Sequence, residues 1–442
     1  MRLVTVLKYH TFIFFLIFLT SISFSQNVLQ FPVHIDTVII VGNEHTKAHV
    51  ILREIPYHFP DTLSERAALQ IKNRIQNLFL FNRVEVEIRQ LEQKNVLLIF
   101  LTESWYVFPV PLVFINEHDW NKLSYGVQLT HYNFRGRNEK LKIGGWWGYN
   151  PAFYANYFNP WIGQKIRLIL GIGISKRKIE NKIFPIKEDR LIWDVTLGRK
   201  FSLNFETQFN FALQKIKLPP EYESYTISKN GTDLVPVLTW QLKWDKRDLY
   251  EYPKNGFLIV HHFRKFGLTV HQPDFWRFEF DNRLYLPIFQ ELSLGCRELV
   301  IVNEGEMPIY QRVFLGFEER IRGYFYEVFP DPSLHQKYTS TNISLSSLEL
   351  RFPILPTRYF SFKDGPVIPS LYRDLKFGIS AGIFMDSGIV WQHQKEVTLK
   401  NFYTGYGIGL HIHLPYVQLL RVEMAINDKR QAQMIVDAAA SF

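Results

Sequence analysis

The chain has 442 residues, 47% of them hydrophobic and 16% aromatic, and carries a formal net charge of +9. Its one cysteine, Cys296, excludes an intrachain disulfide framework. The basic excess is ordinary for a secreted protein and gives no support to nucleic-acid binding, though it suits anionic lipid head groups.

The N-terminus reads as an export signal over residues 1–25. Arg2 and Lys8 give a positive start, Thr11 to Ile22 are apolar, and Ser23 and Ser25 supply small residues before a cleavage at Gln26. The apolar stretch is too short for a membrane-spanning helix, and no other run of 18 apolar residues follows. A membrane location would therefore require a closed barrel, which the abundance of Phe, Tyr and Trp fits if rings line both interfaces.

Residues 33–104 read as a small α/β module of order β-α-α-β-β. Val38 to Val41 form a strand ending at Gly42-Asn43, and Thr46 is placed to cap a first helix carrying Val50, Ile51 and Ile55. Thr62-x-x-Glu65 has the pattern of a capping box for a second helix, with Ala68, Ile71, Ile75 and Leu78 on one face. Val84, Val86 and Ile88 then alternate with charged residues in one strand, and Asn95 to Thr102 form another.

Across residues 106–442 the helical period gives way to amphipathic strands, so the fold class is mainly β. Sixteen candidates start near residues 108, 122, 139, 151, 164, 191, 202, 233, 255, 273, 290, 341, 375, 405, 417 and 431. An even number suits a closed antiparallel transmembrane barrel. Pro109 and Pro111 lie in or beside the first strand, where an edge tolerates proline, or else in the linker. Alternation is clearest near the end. Leu375, Phe377, Ile379, Ala381 and Ile383 face one way, as do Tyr406, Ile408, Leu410 and Ile412, then Leu420, Val422, Met424 and Ile426. Ser380, Asp386, His411, His413, Arg421 and Glu423 face the lumen. The last strand places Met434, Val436, Ala438, Ala440 and Phe442 outward, with Gln433, Asp437 and Ser441 opposite, and Phe442 reads as the signal that ends the barrel. With the module in the periplasm, residues 303–340 form an extracellular connection between strands 11 and 12, and a connection of that length marks function or disorder.

That connection contains Ile321-Arg322-Gly323-Tyr324, preceded by Leu315-Gly316. The tetrapeptide resembles the sixth-loop motif of the superfamily of BamA and TamA, outer-membrane assembly and translocation barrels also called bacterial surface antigens. Ile39-x-Val41-Gly42-Asn43-x-x-Thr46 with Leu52-Arg53-Glu54, and Leu80-Phe81-x-x-Val84, resemble a POTRA domain. Trp244-Asp245-x-Arg247-Asp248 with Pro253 and Gly256 is similar to the family's turn before strand 9. Leu348-Glu349-x-Arg351-Phe352-Pro353 and Phe384-x-Asp386-x-Gly388 match the strand 12 and 13 positions whose acids receive the loop arginine. Strand parity independently turns Glu349 and Asp386 into the lumen, and a guanidinium presents a fork matched to carboxylates.

The resemblance implies a single-POTRA member of the family in the bacterial outer membrane, with its module in the periplasm. It implies a non-enzymatic, cofactor-free and ATP-independent factor that templates the insertion or passage of β-rich clients. Val84 and Val86 are candidate residues of the POTRA edge that would receive a client strand. Implied partners are unfolded outer-membrane or secreted proteins, outer-membrane lipid, lipopolysaccharide and periplasmic accessory proteins. A dedicated exporter of one client, as in two-partner secretion, and a passive porin-like channel are the alternatives. The main assembly barrels usually carry several POTRA domains where this chain has room for one.

Other motifs point elsewhere. Gly378-x-Ser380-x-Gly382 spells a nucleophile elbow, which would suit a lipase fused to a barrel, but Ser380 falls within a strand rather than at a strand-to-helix turn. His411-x-His413 has a chelating spacing, yet two ligands make no metal site, and lumen polarity accounts for the pair. Gly405, Gly407 and Gly409 alternate with lipid-facing residues and read as relief of crowding in a strand. Lys176, Arg177, Lys178, Lys182, Lys187 and Arg190, tempered by Glu180, Glu188 and Asp189, read as a solvated loop within reach of lipopolysaccharide phosphates.

Overall fold

The computed structural model describes residues 32–115, 120–181, 186–289, 291–315, 321–324, 339–362, 369–417 and 419–438. The export signal, Gly316, Lys182, Ala440, Ser441 and Phe442 lie outside them.

The N-terminal module runs β1 (Val33–Ile35), β2 (Thr37–Val41), α1 (Ala48–Leu52), β3 (Asp61–Leu63), α2 (Glu65–Gln76), β4 (Phe81–Leu91) and β5 (Lys94–Glu103). Its main sheet has the order β2-β5-β4, with β2 parallel to β5 and β4 antiparallel to it. This β-α-α-β-β frame is consistent with one POTRA-like domain, to which β1 and β3 add a two-stranded ribbon three residues long, not visible as a period in so few residues. The helices bury Val50, Ile51, Ile71 and Ile75 against Leu97 and Ile99 of the sheet.

Neither helix starts as the sequence suggests. Ser64, not Thr62, caps α2, its Oγ accepting from Ala67 N, while Thr62 is drawn into β3. Ala67 rather than Ala68 is the buried alanine. Lys47 precedes α1 without a side-chain cap. The Thr46 hydroxyl is instead buried between Tyr106 Oη and Asn133 Nδ2, at 2.9 Å from each, because tertiary partners there outcompete a five-residue helix.

Sixteen further strands form one antiparallel barrel sheet. They are β6 (Val107–Ile115), β7 (Leu123–Phe134), β8 (Glu139–Gly148), β9 (Ala152–Ile162), β10 (Leu168–Glu180), β11 (Lys187–Lys200), β12 (Phe205–Lys217), β13 (Thr232–Asp245), β14 (Gly256–Phe266), β15 (Asp274–Phe289) and β16 (Leu292–Glu306). After a small ribbon of β17 (Val313–Phe314) and β18 (Thr339–Ser340) come β19 (Asn342–Phe360), β20 (Leu375–Trp391), β21 (Tyr403–His413), β22 (Leu420–Asn427) and β23 (Ala432–Ala438). Every start lies within four residues of the position read from the sequence. Pro109 and Pro111 belong to β6, the first strand of the sheet, opposite Leu129 and Val127 of β7.

Alternation sets the two faces. On β20, Ile383 and Met385 are 53% and 48% exposed on the outside, while Phe384 and Asp386 between and beside them are buried. Leu375 departs from this row and is buried, at the first position of β20 beside the connection that meets the module. Among the described residues no helix is long and apolar enough to cross a membrane.

The module sits on one pole of the barrel, held by the connections after β7, β11, β13 and β19, the second, sixth, eighth and twelfth strands of the barrel sheet. After β7, Lys47 N donates to Gly136 O at 2.9 Å, and a Cβ on Gly136 would lie 2.2 Å from His45 O. After β11, Arg74 Nη1 donates to Asn204 Oδ1 at 2.8 Å. After β13, Asn77 brackets Asp248 O and Tyr250 N at 3.0 and 2.8 Å. After β19, Asn82 Nδ2 donates to Ser370 O and Arg373 O, each at 2.9 Å. Burial alone would raise the Glu103 carboxyl, but donors from Thr46 and His45 outweigh it and hold it below its ordinary range, which fastens the 43–46 turn beside the barrel.

Candidate functional site

The long connection between β16 and β19 leaves from the pole opposite the module and returns a tetrapeptide into the barrel. Ile321, Arg322 and Tyr324 are all buried, and Tyr324 N closes a turn on Ile321 O at 2.9 Å. Gly323 holds this turn with a φ of +94°, a conformation that costs glycine little. Ile321 and Tyr324 pack with Leu299, Ile301, Ile343 and Leu345 from the adjoining wall.

Arg322 meets carboxylates from three strands. Its Nε and Nη2 donate to Asp386 Oδ2 and Oδ1, both at 2.7 Å, and its backbone N reaches Asp386 Oδ2 at 3.1 Å. Nη1 donates to Glu349 Oε2 at 2.6 Å and to Glu423 Oε1 at 3.0 Å. The guanidinium lies 3.5 Å from the centre of the Phe384 ring. Such planar, bidentate pairing is what a guanidinium achieves and an ammonium cannot. Arg351 Nε donates to the other Glu349 oxygen at 2.6 Å, so Glu349 joins two arginines.

The structure thus brings together six of the residues read from the sequence, Ile321, Arg322, Gly323, Tyr324, Glu349 and Asp386, and adds four others. Glu423 was assigned to the lumen by parity but not to the arginine, from which it lies 101 residues away. Arg351 and Phe384 belong to the quoted motifs without a stated role. Gly405 supplies the seat: a Cβ there would lie 1.8 Å from Arg322 O. The three-glycine run therefore does relieve crowding, and at Gly405 the crowding comes from the loop.

A second polar layer lies toward the module. The connection after β13 turns Tyr252 inward, its Oη 2.9 Å from His411 Nδ1 and its ring 5.1 Å from the Arg351 guanidinium. The motif residues at the base of this connection are locked by Arg247, whose Nε and Nη2 donate to the two oxygens of Asp245 at 2.9 and 2.8 Å. Contacts therefore run without a break from Asn77 of the module through residues 248–252 and Arg351 to Glu349 and Arg322.

His411 and His413 do not converge on a common ligand. His413 Nε2 lies 3.1 Å from Ser380 Oγ, and its Nδ1 lies 3.7 Å from Glu251 Oε1. This serine, histidine and glutamate share a line but lack the parts of a hydrolase. Ser380 is buried in a continuous strand, the glutamate is beyond hydrogen-bond reach, and its other oxygen is held by Lys376. Ser380→Ala is expected to leave the turnover of a chromogenic ester unchanged. Glu349, His411 and Glu423 lie close enough to share a cation, yet Arg322 Nη1 already bridges both carboxylates, so an ion would have to displace the loop.

Val84 and Val86 lie on β4, one of the two edge strands of the module sheet, with Val84 pointing into the core.

The Omp85 superfamily domain model matches residues 133–435. A search of curated proteins finds no match. Among solved structures, BamA from Haemophilus ducreyi lacking POTRA domains 1–3 superposes with a TM-score of 0.54 at 17% identity, covering 92% of this chain and 83% of that one. CdiB from Acinetobacter baumannii gives 0.49 at 12% identity, covering 91% and 72%, and CdiB from Escherichia coli gives 0.48 at 10%, covering 96% and 91%.

Proposed function

We infer a function from a family, for this chain belongs to the Omp85 superfamily, whose barrels insert proteins into the outer membrane or translocate them across it. It is an outer-membrane barrel protein of that kind. We propose that it templates β-strand formation in its clients, with its module in the periplasm and no nucleotide consumed. The observation that carries this reading is a module with an open sheet edge, β4, fixed against the pole of the barrel by Asn82 and Arg83 at the start of that strand.

The energy comes from the client, since burying apolar strand faces and completing backbone hydrogen bonds is favourable once a route exists. An exposed edge lowers the barrier by offering a row of donors and acceptors in strand geometry. The proline-bearing first strand, β6, provides a weak place in the wall, because proline withholds a ladder donor. Depletion followed by a census of outer-membrane proteins tests the reading. Broad loss of barrel proteins supports an insertase, loss of one secreted protein assigns a dedicated exporter, and no loss leaves a porin.

Strand addition at β4 has its own test. Successive residues of a strand direct their N–H groups to opposite sides, so Val86→Pro and Glu87→Pro sample both phases of the edge. One of them is expected to reduce client crosslinking several-fold with the barrel still folded. Unchanged crosslinking in both folded variants would remove β4 as the template.

A further inference from the structure

A cavity of about 1060 Å³ opens between α1, the residues that follow it, and the barrel connections after β7, β9 and β11. Its walls carry His49, Arg53, Arg137 and Arg167, with Glu139 as their one carboxylate. Glu139 is taken by Arg135, which donates to it from Nε and Nη2 at 2.9 and 2.7 Å. Glu54 Oε1 lies 3.9 Å from Arg53 Nε, an ion pair too long for a hydrogen bond, while Arg74 holds the other oxygen, Oε2, at 2.9 Å. The Arg53 side chain is only 9% exposed, and its Nε has no hydrogen-bond partner. A buried guanidinium donor without a hydrogen bond is costly, and Arg53 lines a cavity whose cations outnumber its carboxylates, so an anion bound there would complete its bonding.

The surroundings say which anion. Arg53 and Arg167 both lie against the Trp161 ring, 5.0 and 5.4 Å from its centre, so one aromatic ring gathers two cations at the end of β9. Burial first, and then the neighbouring charges of Arg53, Arg137 and Lys47, hold His49 below its ordinary value. Beside the cavity, Ile162, Ile166, Leu168 and Phe201 are exposed where the apolar outer face of β9 and β10 ends. Apolar side chains outside and an excess of cations inside reproduce the amphipathic order of a phospholipid.

We propose that this cavity binds the phosphate of an anionic phospholipid from the leaflet on the module side, with Arg53 and Arg167 as its principal donors. The lipid would seal the joint between module and barrel where their direct hydrogen bonds leave a gap. This goes beyond the insertion reading and does not depend on it.

The test uses the full-length protein in nanodiscs of mixed phosphatidylglycerol and phosphatidylcholine, with retained lipid counted by native mass spectrometry after release. Wild type is expected to retain phosphatidylglycerol in preference to phosphatidylcholine, and excess inorganic phosphate should not displace it. Arg53→Gln and Arg167→Gln should each weaken retention by about tenfold or more, the effect of losing one charge-assisted hydrogen bond. Arg167 lies in a connection outside the strands, so its variant reports on the site even if Arg53→Gln fails to assemble. Equal retention of both lipids, or undiminished retention in the folded variants, overturns the proposal. Displacement by inorganic phosphate alone overturns the lipid assignment and leaves a soluble anion as the ligand.

Discussion

Arg322→Glu is expected to expel the tetrapeptide from the barrel and to abolish the insertion or translocation of client proteins. In the native arrangement one guanidinium neutralises parts of three carboxylates, and the substitution would add a fourth negative charge to Asp386, Glu349 and Glu423. Breaking a buried, hydrogen-bonded ion pair by removing one partner costs roughly 3 to 5 kcal/mol, against about 0 to 1 for a solvated pair. Arg322 is 6% exposed and Asp386 3%, which places this pair near the upper limit. Arg322→Ala should therefore be severe and Arg322→Glu more so. The readouts are protease sensitivity of residues 303–340 in intact cells and client insertion. The distribution of contacts also dictates which reciprocal exchange can work. Asp386 receives three of the arginine's hydrogen bonds, whereas Glu349 is shared with Arg351. Placing arginine at 349 would set it against Arg351, so Arg322→Glu should be partly rescued by Asp386→Arg and hardly at all by Glu349→Arg. Wild-type protease resistance in Arg322→Glu would show that this ion cluster does not hold the loop.

The difference between Asp386 and Glu423 shows what a sequence can and cannot disclose here. Period-two alternation is local, so the starts of the barrel strands and the inward direction of Glu349, Asp386 and Glu423 follow from neighbours in the chain. The acids on β19 and β20 could then be joined to Arg322 because motifs flank them. Glu423 is two strands farther along the wall, in a segment without a motif, and only the depth to which the loop inserts brings it within 3.0 Å. Helix starts failed for a related reason. Thr46 is a good capping residue by type, but its hydroxyl finds Tyr106 and Asn133, the latter on a barrel strand 87 residues away. Local pattern predicts local structure until a distant partner offers the same side chain a better hydrogen bond.

Gly405 provides the second large effect, and its sign depends on the loop. In an isolated strand, replacing glycine by alanine removes unfolded-state entropy and should be neutral or stabilising by about 0.5 to 1 kcal/mol. In the native barrel a Cβ at 405 would lie 1.8 Å from Arg322 O and 3.0 Å from Arg322 C, and both are backbone atoms that no rotamer change can move aside. The loop must lift, and lifting it stretches the hydrogen bonds of Arg322 to Asp386 at 2.7 Å and to Glu349 at 2.6 Å. Gly405→Ala is thus expected to reproduce much of the Arg322→Ala phenotype without altering a charge, and Gly405→Val to exceed it. Gly409 supplies the comparison, because a Cβ there meets Glu423 Cγ at 2.8 Å, a side-chain rather than a backbone atom, whose displacement strains only the Glu423 contact with Arg322 Nη1 at 3.0 Å. Gly409→Ala should be the milder variant. In a chain from which residues 316–338 are deleted, Gly405→Ala should no longer harm the barrel and should raise its unfolding temperature slightly in detergent. Continued destabilisation in the deleted chain would place the need for glycine within the strand itself, at its contacts with β20 and β22, and would take from Gly405 its role as the seat of the loop.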